Sequence, residues 1–320
     1  MPELSATASP MMLIGGTANP GLARRISEEL DRPLCDVTIE RFADGEIFVK
    51  INENVRGRDV FIVQPTNPPA DNVMELLILI DAAKRASAAR VTAVIPYYGY
   101  GRQDRKDQPR VSIAAKLMAN LLTSAGADRV LSIDFHQHQL QGFFDIPVDH
   151  LYASPVLMGR YQDRGLTKVV VVATDVGAAK MARGYAQRLR EASMAIIDKR
   201  RAGPNQSEVV NVVGDVEGSR CLIVDDMIDT AGTMTSAVRA LKERGAREVY
   251  CVATHALFSG PAVERLKSVD VEEIVVTDTI SVSDEVQSEL DSLEVLSVAG
   301  LLARAMENTH TNRSVSSLFN

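Results

Sequence analysis

An apolar run from Cys221 to Val224 ends in two adjacent carboxylates, Asp225 and Asp226, and a third, Asp229, precedes Thr230-Ala231-Gly232-Thr233. From Met234 the residues take up a helical pattern, so the stretch reads as strand, turn and helix N-terminus. The first amides of a helix have no internal partner and sit at the positive end of its dipole, which makes such a turn a cradle for phosphate oxygens. Thr230 and Thr233 add hydroxyl donors. Asp225 and Asp229 would repel a phosphate, so they require something else: the hydroxyls of a sugar, or a cation. Together these residues fit a phosphorylated, hydroxyl-rich small molecule.

Positive charge is concentrated in two further places, Arg102 to Arg110 and Lys199-Arg200-Arg201, in a chain whose net charge is −7. That balance argues against a general nucleic-acid or membrane surface, while local basic clusters on loops suit a polyphosphate. Arg102 and Gln103 follow the turn Tyr97-Tyr98-Gly99-Tyr100-Gly101, which comes directly after a buried strand, so both can reach into a crevice. Arg102 suits a phosphate or base edge, and the paired donor and acceptor of Gln103 can read an adenine edge.

The elements that must hold these residues follow from the pattern of the whole chain. Its 320 residues exceed one ordinary domain, so two are expected. Apolar runs alternate with amphipathic stretches, the pattern of a parallel sheet covered by helices on both faces. Strands are predicted over 11–14, 60–64, 91–96, 130–134, 169–174, 195–198, 221–225, 248–253 and 273–277. Helices are predicted over 71–87, 113–125, 155–164, 178–192, 233–244 and 261–267, with a hairpin over 36–51 turning at Asp44-Gly45. A break at 150–153 separates an N-terminal domain, 1–152, from a C-terminal domain, 153–304, and the tail 305–320 is expected to pack back on the first. Ligands of open α/β sheets sit beyond the C-terminal strand ends, where most of the residues above lie. No run is long enough to span a bilayer, and the first ten residues lack the order of a signal peptide, so a cytoplasmic location is expected. Cys35, Cys221 and Cys251 lie in apolar runs and are expected to be buried free thiols.

Residues Val224 to Thr233 resemble the phosphoribosyl-diphosphate motif shared by type I phosphoribosyltransferases and ribose-phosphate diphosphokinases. Four further segments resemble the diphosphokinases alone: Asn52-Glu53-Asn54-Val55-Arg56-Gly57, Arg102-Gln103-Asp104-Arg105-Lys106, Gln141 to Asp149, and Ala195 to Arg201. The resemblance runs from about Met12 to Phe319 and implies two similar doubly wound α/β domains of the type I phosphoribosyltransferase kind. It implies transfer of the β,γ-diphosphoryl group of ATP to the 1-hydroxyl of ribose 5-phosphate, giving phosphoribosyl diphosphate and AMP for nucleotide, histidine and tryptophan biosynthesis. Lys199 and Arg201, read as lying just past a strand end, are then the catalytic pair, and Arg201 also meets ribose 5-phosphate. Arg102 and Gln103 bind ATP, with Phe42, Asp44 and Glu46 supplied by a neighbouring subunit. His136 and Asp175 sit at a Mg²⁺ site, whereas His138 is given no metal role. Asp225 and Asp229 take the ribose hydroxyls, and Thr230, Ala231, Gly232 and Thr233 the 5-phosphate.

The same resemblance implies a homohexamer, with inorganic phosphate and ADP acting through Arg56, Arg105, Ser314, Ser316 and Phe319. Two departures from the family pattern stand out: Asp107-Gln108-Pro109-Arg110-Val111-Ser112 carries fewer basic residues than some relatives, and Ala178 replaces a usual glycine. A phosphoribosyltransferase would use the 225–233 motif but gives no reason for Lys199 or Arg201. A catalytically silent paralogue would be expected to have lost one of Arg102, Gln103, His136, Asp175, Lys199 or Arg201, and all are present.

Overall fold

Strands that read as apolar runs, such as Val169–Ala173 and, after its first residue, Asp59–Val63, are buried at every position, as strands covered on both faces must be. The computed structural model describes residues 10–162, 164–189, 192–201 and 208–319, with the side chains of 199–201 and 208–210 excepted. The chain divides into two units. The first holds the chain up to Tyr152, residues Thr279–Ser281 and the stretch from Val298 on; the second holds Ala153–Asp278 and Val282–Ser297.

In the first unit the order is β1 (Met11–Gly15), α1 (Pro20–Leu30), β2 (Val37–Arg41), β3 (Ile47–Ile51), β4 (Asp59–Val63), α2 (Asp71–Arg85), β5 (Arg90–Ile95), α3 (Ala114–Ala125), β6 (Arg129–Ile133) and β7 (Val148–Leu151). Strands β1, β4, β5, β6 and β7 lie side by side in that order, all parallel. Val60, Ile62, Val91, Ala93, Ile95 and Val130 share one core with the buried faces of α2 and α3. Residues of the opposite parity, Phe61, Val94 and Leu131, are equally buried, so both faces are covered. The β2–β3 hairpin is a separate ribbon whose Val37, Ile39, Val49 and Ile51 pack on that core.

In the second unit α4 (Ser154–Gln162) leads to β8 (Val169–Ala173), α5 (Ala179–Arg188), β9 (Ser193–Arg201), β10 (Glu208–Val213), β11 (Arg220–Ile228), α6 (Gly232–Glu243), β12 (Glu248–Ala256), α7 (Ala262–Lys267), β13 (Glu273–Thr277), α8 (Asp284–Glu289) and β14 (Leu293–Leu296). The sheet runs β10-β9-β8-β11-β12-β13-β14, parallel throughout except for β10 against β9. Because β9 leaves β8 on one side and β11 joins it on the other, the strand order reverses between β8 and β11.

The last helix, α9 (Ala299–His310), belongs to the first unit, where it packs on α1. The chain thus rejoins that unit at Val298, ahead of the 305 boundary expected from the sequence, because Leu301, Leu302, Ala305 and Met306 make α9 part of the core. The thiols of Cys35, Cys221 and Cys251 are buried and free, and burial raises each of them to about 12, where they are inert. Among the described residues no helix is long and apolar enough to cross a membrane.

Candidate active site

The reversal between β8 and β11 is a topological switch point, the place in an open α/β sheet where a crevice opens beyond the strand ends. Asp175 lies two residues past the end of β8, and Asp225 lies one residue past the last β8–β11 pair, Val224 with Ala173. β11 does not stop at Asp225 as the apolar run predicted. It continues to Ile228 because β12 extends alongside it, pairing Asp225 with Ala253 and Ile228 with Ala256. Asp225 is half-buried beside the buried Asp226, whose N–H donates to Asp225 Oδ1 at 2.9 Å. Burial, then the charge of Asp226, pushes the Asp225 carboxyl up to about 8, against a hydrogen bond with Thr174 that lowers it. A carboxyl so poised gains by meeting hydroxyl donors.

After β11 the chain turns into α6 through Ala231, which sits in the left-handed region at φ 58° as the residue before the first helical position. Thr230 and Thr233 are exposed at this turn, and Gly232 opens the helix. The Thr235 hydroxyl donates to the Ala231 carbonyl at 2.9 Å. On the far side of the turn, Arg265 of α7 donates from Nη1 to the Thr230 carbonyl at 2.9 Å. Asp175 is exposed, and its Oδ1 accepts the Ala178 N–H at 2.8 Å, so it closes the turn before α5.

The first unit carries a second group of residues. Between β5 and α3 the chain passes through Gly99, where a Cβ would overlap the Thr66 carbonyl; the Gly99 N–H donates to Thr66 Oγ1 at 2.8 Å. Only glycine allows this approach. It throws the next residues outward, and Arg102, Gln103, Arg105 and Lys106 are all exposed. Beneath them Tyr98 packs edge-on against Phe135 and Phe144, at 5.3 and 5.6 Å between ring centres, and its hydroxyl donates to the Ala115 carbonyl. The Gln103 carbonyl accepts the Ala115 N–H, which ties the loop to the start of α3.

Past β6, Asp134 takes φ 38° and the Phe135 N–H donates to Nε2 of the buried His150 at 3.0 Å. This turn leaves His136 exposed at the strand end. The hairpin tip holds Phe42, Asp44 and Glu46 in solvent, with Phe42 55% exposed and braced edge-on by Phe48 at 5.6 Å. Gly45, at φ 95°, supplies the left-handed turn residue.

Among the described residues no group of three or more His, Cys, Asp or Glu side chains gathers as a cage. His136 in the first unit and Asp175 in the second are each exposed just past a strand end, and each is a single donor that could join water ligands on a divalent ion.

The N-terminal domain of ribose phosphate pyrophosphokinase matches as a family model over residues 11–126, and the phosphoribosyl synthetase-associated domain matches over residues 201–320. The chain is 51% identical over 312 residues to the ribose-phosphate pyrophosphokinase of Chlorobaculum tepidum, covering 97% of this chain and 95% of that one. The match to the Vibrio parahaemolyticus pyrophosphokinase is also 51% over 312 residues, covering 97% and 99%. The chain belongs to the ribose-phosphate pyrophosphokinase family. The crystal structure of phosphoribosylpyrophosphate synthetase from Mycobacterium smegmatis superposes with a TM-score of 0.89 at 43% identity, covering 95% of this chain and all of that one.

Membership of the pyrophosphokinase family fixes the α/β class with parallel sheets and the enzyme class, and full-length coverage leaves no case for a phosphoribosyltransferase. Residues of the 225–233 motif come together in the second unit on β11 and the turn after it. Lys199 and Arg201 were expected just past a strand; their backbone instead lies within β9, opposite Val210 and Glu208 of β10, and their side chains lie outside the described residues. The strand runs on because it has an antiparallel partner there, β10. Ser314, Ser316 and Phe319 follow α9, with Phe319 edge-on to Tyr152 at 5.4 Å. Arg56 is exposed on the loop between β3 and β4. Sequence reasoning passed over Thr174, His150 and Arg265, none of which stands in a motif of its own.

Proposed function

We propose that this chain transfers the β,γ-diphosphoryl group of ATP to the 1-hydroxyl of ribose 5-phosphate, yielding phosphoribosyl diphosphate and AMP. The observation that carries the reading is the left-handed turn at Ala231 after β11, at the switch point of the second sheet, in a chain alike over nearly its full length to ribose-phosphate pyrophosphokinases. The product feeds nucleotide, histidine and tryptophan biosynthesis in the cytoplasm.

Ribose 5-phosphate is read as bound by Asp225 and Asp229 at its hydroxyls and by the amides and hydroxyls of Thr230, Ala231, Gly232 and Thr233 at its phosphate. ATP meets Arg102 and Gln103, with Phe42 stacking on the base and Asp44 and Glu46 accepting from its amino group across a subunit boundary of a homohexamer. The 1-hydroxyl oxygen attacks the β-phosphorus as the bond from that phosphorus to the oxygen of AMP breaks, and the hydroxyl proton passes to solvent. Positioning and charge neutralisation dominate such a step, which is the part taken by Lys199 and Arg201. Mg²⁺, held through His136 and Asp175, would shield the phosphate charges. Inorganic phosphate and ADP act on the tail through Ser314, Ser316 and Phe319 with Arg56 and Arg105.

The test is formation of AMP and phosphoribosyl diphosphate from ATP, Mg²⁺ and ribose 5-phosphate, with and without inorganic phosphate. Equal amounts of both products are expected, with Lys199→Ala at least about 100-fold slower. Absence of both products from the folded wild-type protein would turn the reading toward a silent paralogue, and full activity of Lys199→Ala would remove the catalytic assignment.

A further inference from the structure

The phosphate turn owes its shape to a segment that carries no motif. The Ile228 carbonyl accepts from the N–H groups of Leu257 and Phe258 at 3.0 Å, and the Asp229 carbonyl accepts from the Ser259 N–H at 2.9 Å. The Thr230 carbonyl accepts from Nη1 of Arg265 at 2.9 Å. Three consecutive carbonyls are therefore held by the β12–α7 connection and by α7 itself. In a planar trans peptide the N–H points opposite to the C=O. Fixing these carbonyls on one side turns the amides of Asp229, Thr230 and Ala231 to the other, and successive amides on one side form an anion-binding concavity.

Of the three anchors only the last is a side chain, and it holds the residue pair where the backbone is under strain. Ala231 lies at φ 58° and ψ 4°, a conformation that a residue with a Cβ adopts reluctantly. A Cβ on Gly232 would stand 3.2 Å from Nη1 of Arg265, so glycine leaves room for the guanidinium to press against the turn. Its charge then lies directly behind the amides that face the ligand.

We propose that Arg265 is a positioning residue for ribose 5-phosphate: by holding the Thr230 carbonyl it keeps the Ala231 amide turned toward the 5-phosphate and adds its positive charge behind that amide. This rests on reading the 230–233 turn as the 5-phosphate site. The sugar hydroxyls and the nucleotide are met elsewhere, so the effect belongs to one substrate.

Steady-state kinetics of Arg265→Met, Arg265→Lys and Thr233→Ala, each varied in ribose 5-phosphate and in ATP, test the inference. Arg265 is exposed, so the variants fold, and the thermal midpoint checks this. Arg265→Met is expected to raise KM for ribose 5-phosphate about tenfold, with kcat and the KM for ATP within about twofold, and Arg265→Lys to recover part of the loss. An unchanged KM for ribose 5-phosphate in Arg265→Met overturns the proposal, as does an equal fall in every kinetic parameter, which marks a merely structural role. Thr233→Ala separates the two readings: if it raises that KM while Arg265→Met does not, the turn remains the phosphate site and only the part given to Arg265 fails. If neither variant moves it, the assignment of the turn fails as well.

Discussion

Asp225, the carboxyl proposed to meet the ribose hydroxyls, also sets a pH dependence of stability. Its carboxyl is raised from 3.8 to about 8 by burial and by Asp226, so at neutral pH the folded protein holds a proton that the unfolded chain has released. Between those limits the folded state binds more protons, and stability falls as pH rises. The contribution is complete below about pH 4, the unfolded value, and is lost as pH climbs toward the raised folded value. Asp225→Asn never ionises. It should match the parent near pH 4 and exceed it by on the order of a few kcal/mol at pH 8. Urea denaturation at both values checks this; an equal difference at pH 4 and pH 8 would show that the pair is not held protonated. The type and spacing of the residues made Asp225 legible in the sequence. Its proton was not legible, because it depends first on the burial of the carboxyl, which the fold brings about where β11 runs on past the end of β8.

Elements were legible in proportion to how plainly one period governed them. The strands buried on both faces announce themselves as apolar runs, and the hairpin does so by alternation, with Val37, Ile39, Val49 and Ile51 inward and Phe48 outward. The short mixed strands β7 and β14 gave no such signal, and neither did β10. Helix α1 carries a narrow stripe, Leu22, Ala23 and Ile26, under four charged residues, although Asn19 capping the Leu22 N–H with Pro20 behind it was a readable start. Arg265 could not be found from spacing at all, since its partner is a carbonyl brought near by the β12–α7 connection. The hairpin tip makes its own prediction. Phe42 is mostly exposed, so Phe42→Ala should change folding stability by no more than about 0.5 kcal/mol. Loss of base stacking should raise KM for ATP about tenfold. Should KM for ATP stay put, the tip has no part in the nucleotide site.

At the scale of the molecule, the first unit is closed by a chain segment that returns after the whole of the second. Asp59 begins β4 and Arg90 begins β5, directly opposite in register. Arg90 Nε donates to Asp59 Oδ1 at 2.8 Å and Nη2 pairs with Oδ2 and reaches the Thr309 carbonyl. His310, in the last turn of α9, meets Asp59 Oδ2 through Nδ1 at 2.7 Å. Asp59 is buried and the His310 side chain is mostly shielded from solvent, so this carboxylate ties two strands to a helix 251 residues along the chain. Removing one partner of such a buried set leaves the others uncompensated, and Asp59→Asn should cost about 3 kcal/mol in the first unit. The tail beyond it is held more lightly, by Asn308 Nδ2 on the Ser314 carbonyl and by Phe319 on Tyr152. Truncation at Ser314 should therefore cost about 1 kcal/mol or less, while abolishing the response of the enzyme to inorganic phosphate if the tail carries the effector contacts proposed for it. Asp59→Asn, assayed well below its lowered melting temperature, should keep that response. Denaturation curves and phosphate titrations of the two variants, run side by side, separate the anchor of the fold from the tail proposed to carry the effector contacts; a truncated enzyme that still answers to phosphate would place the effector site elsewhere.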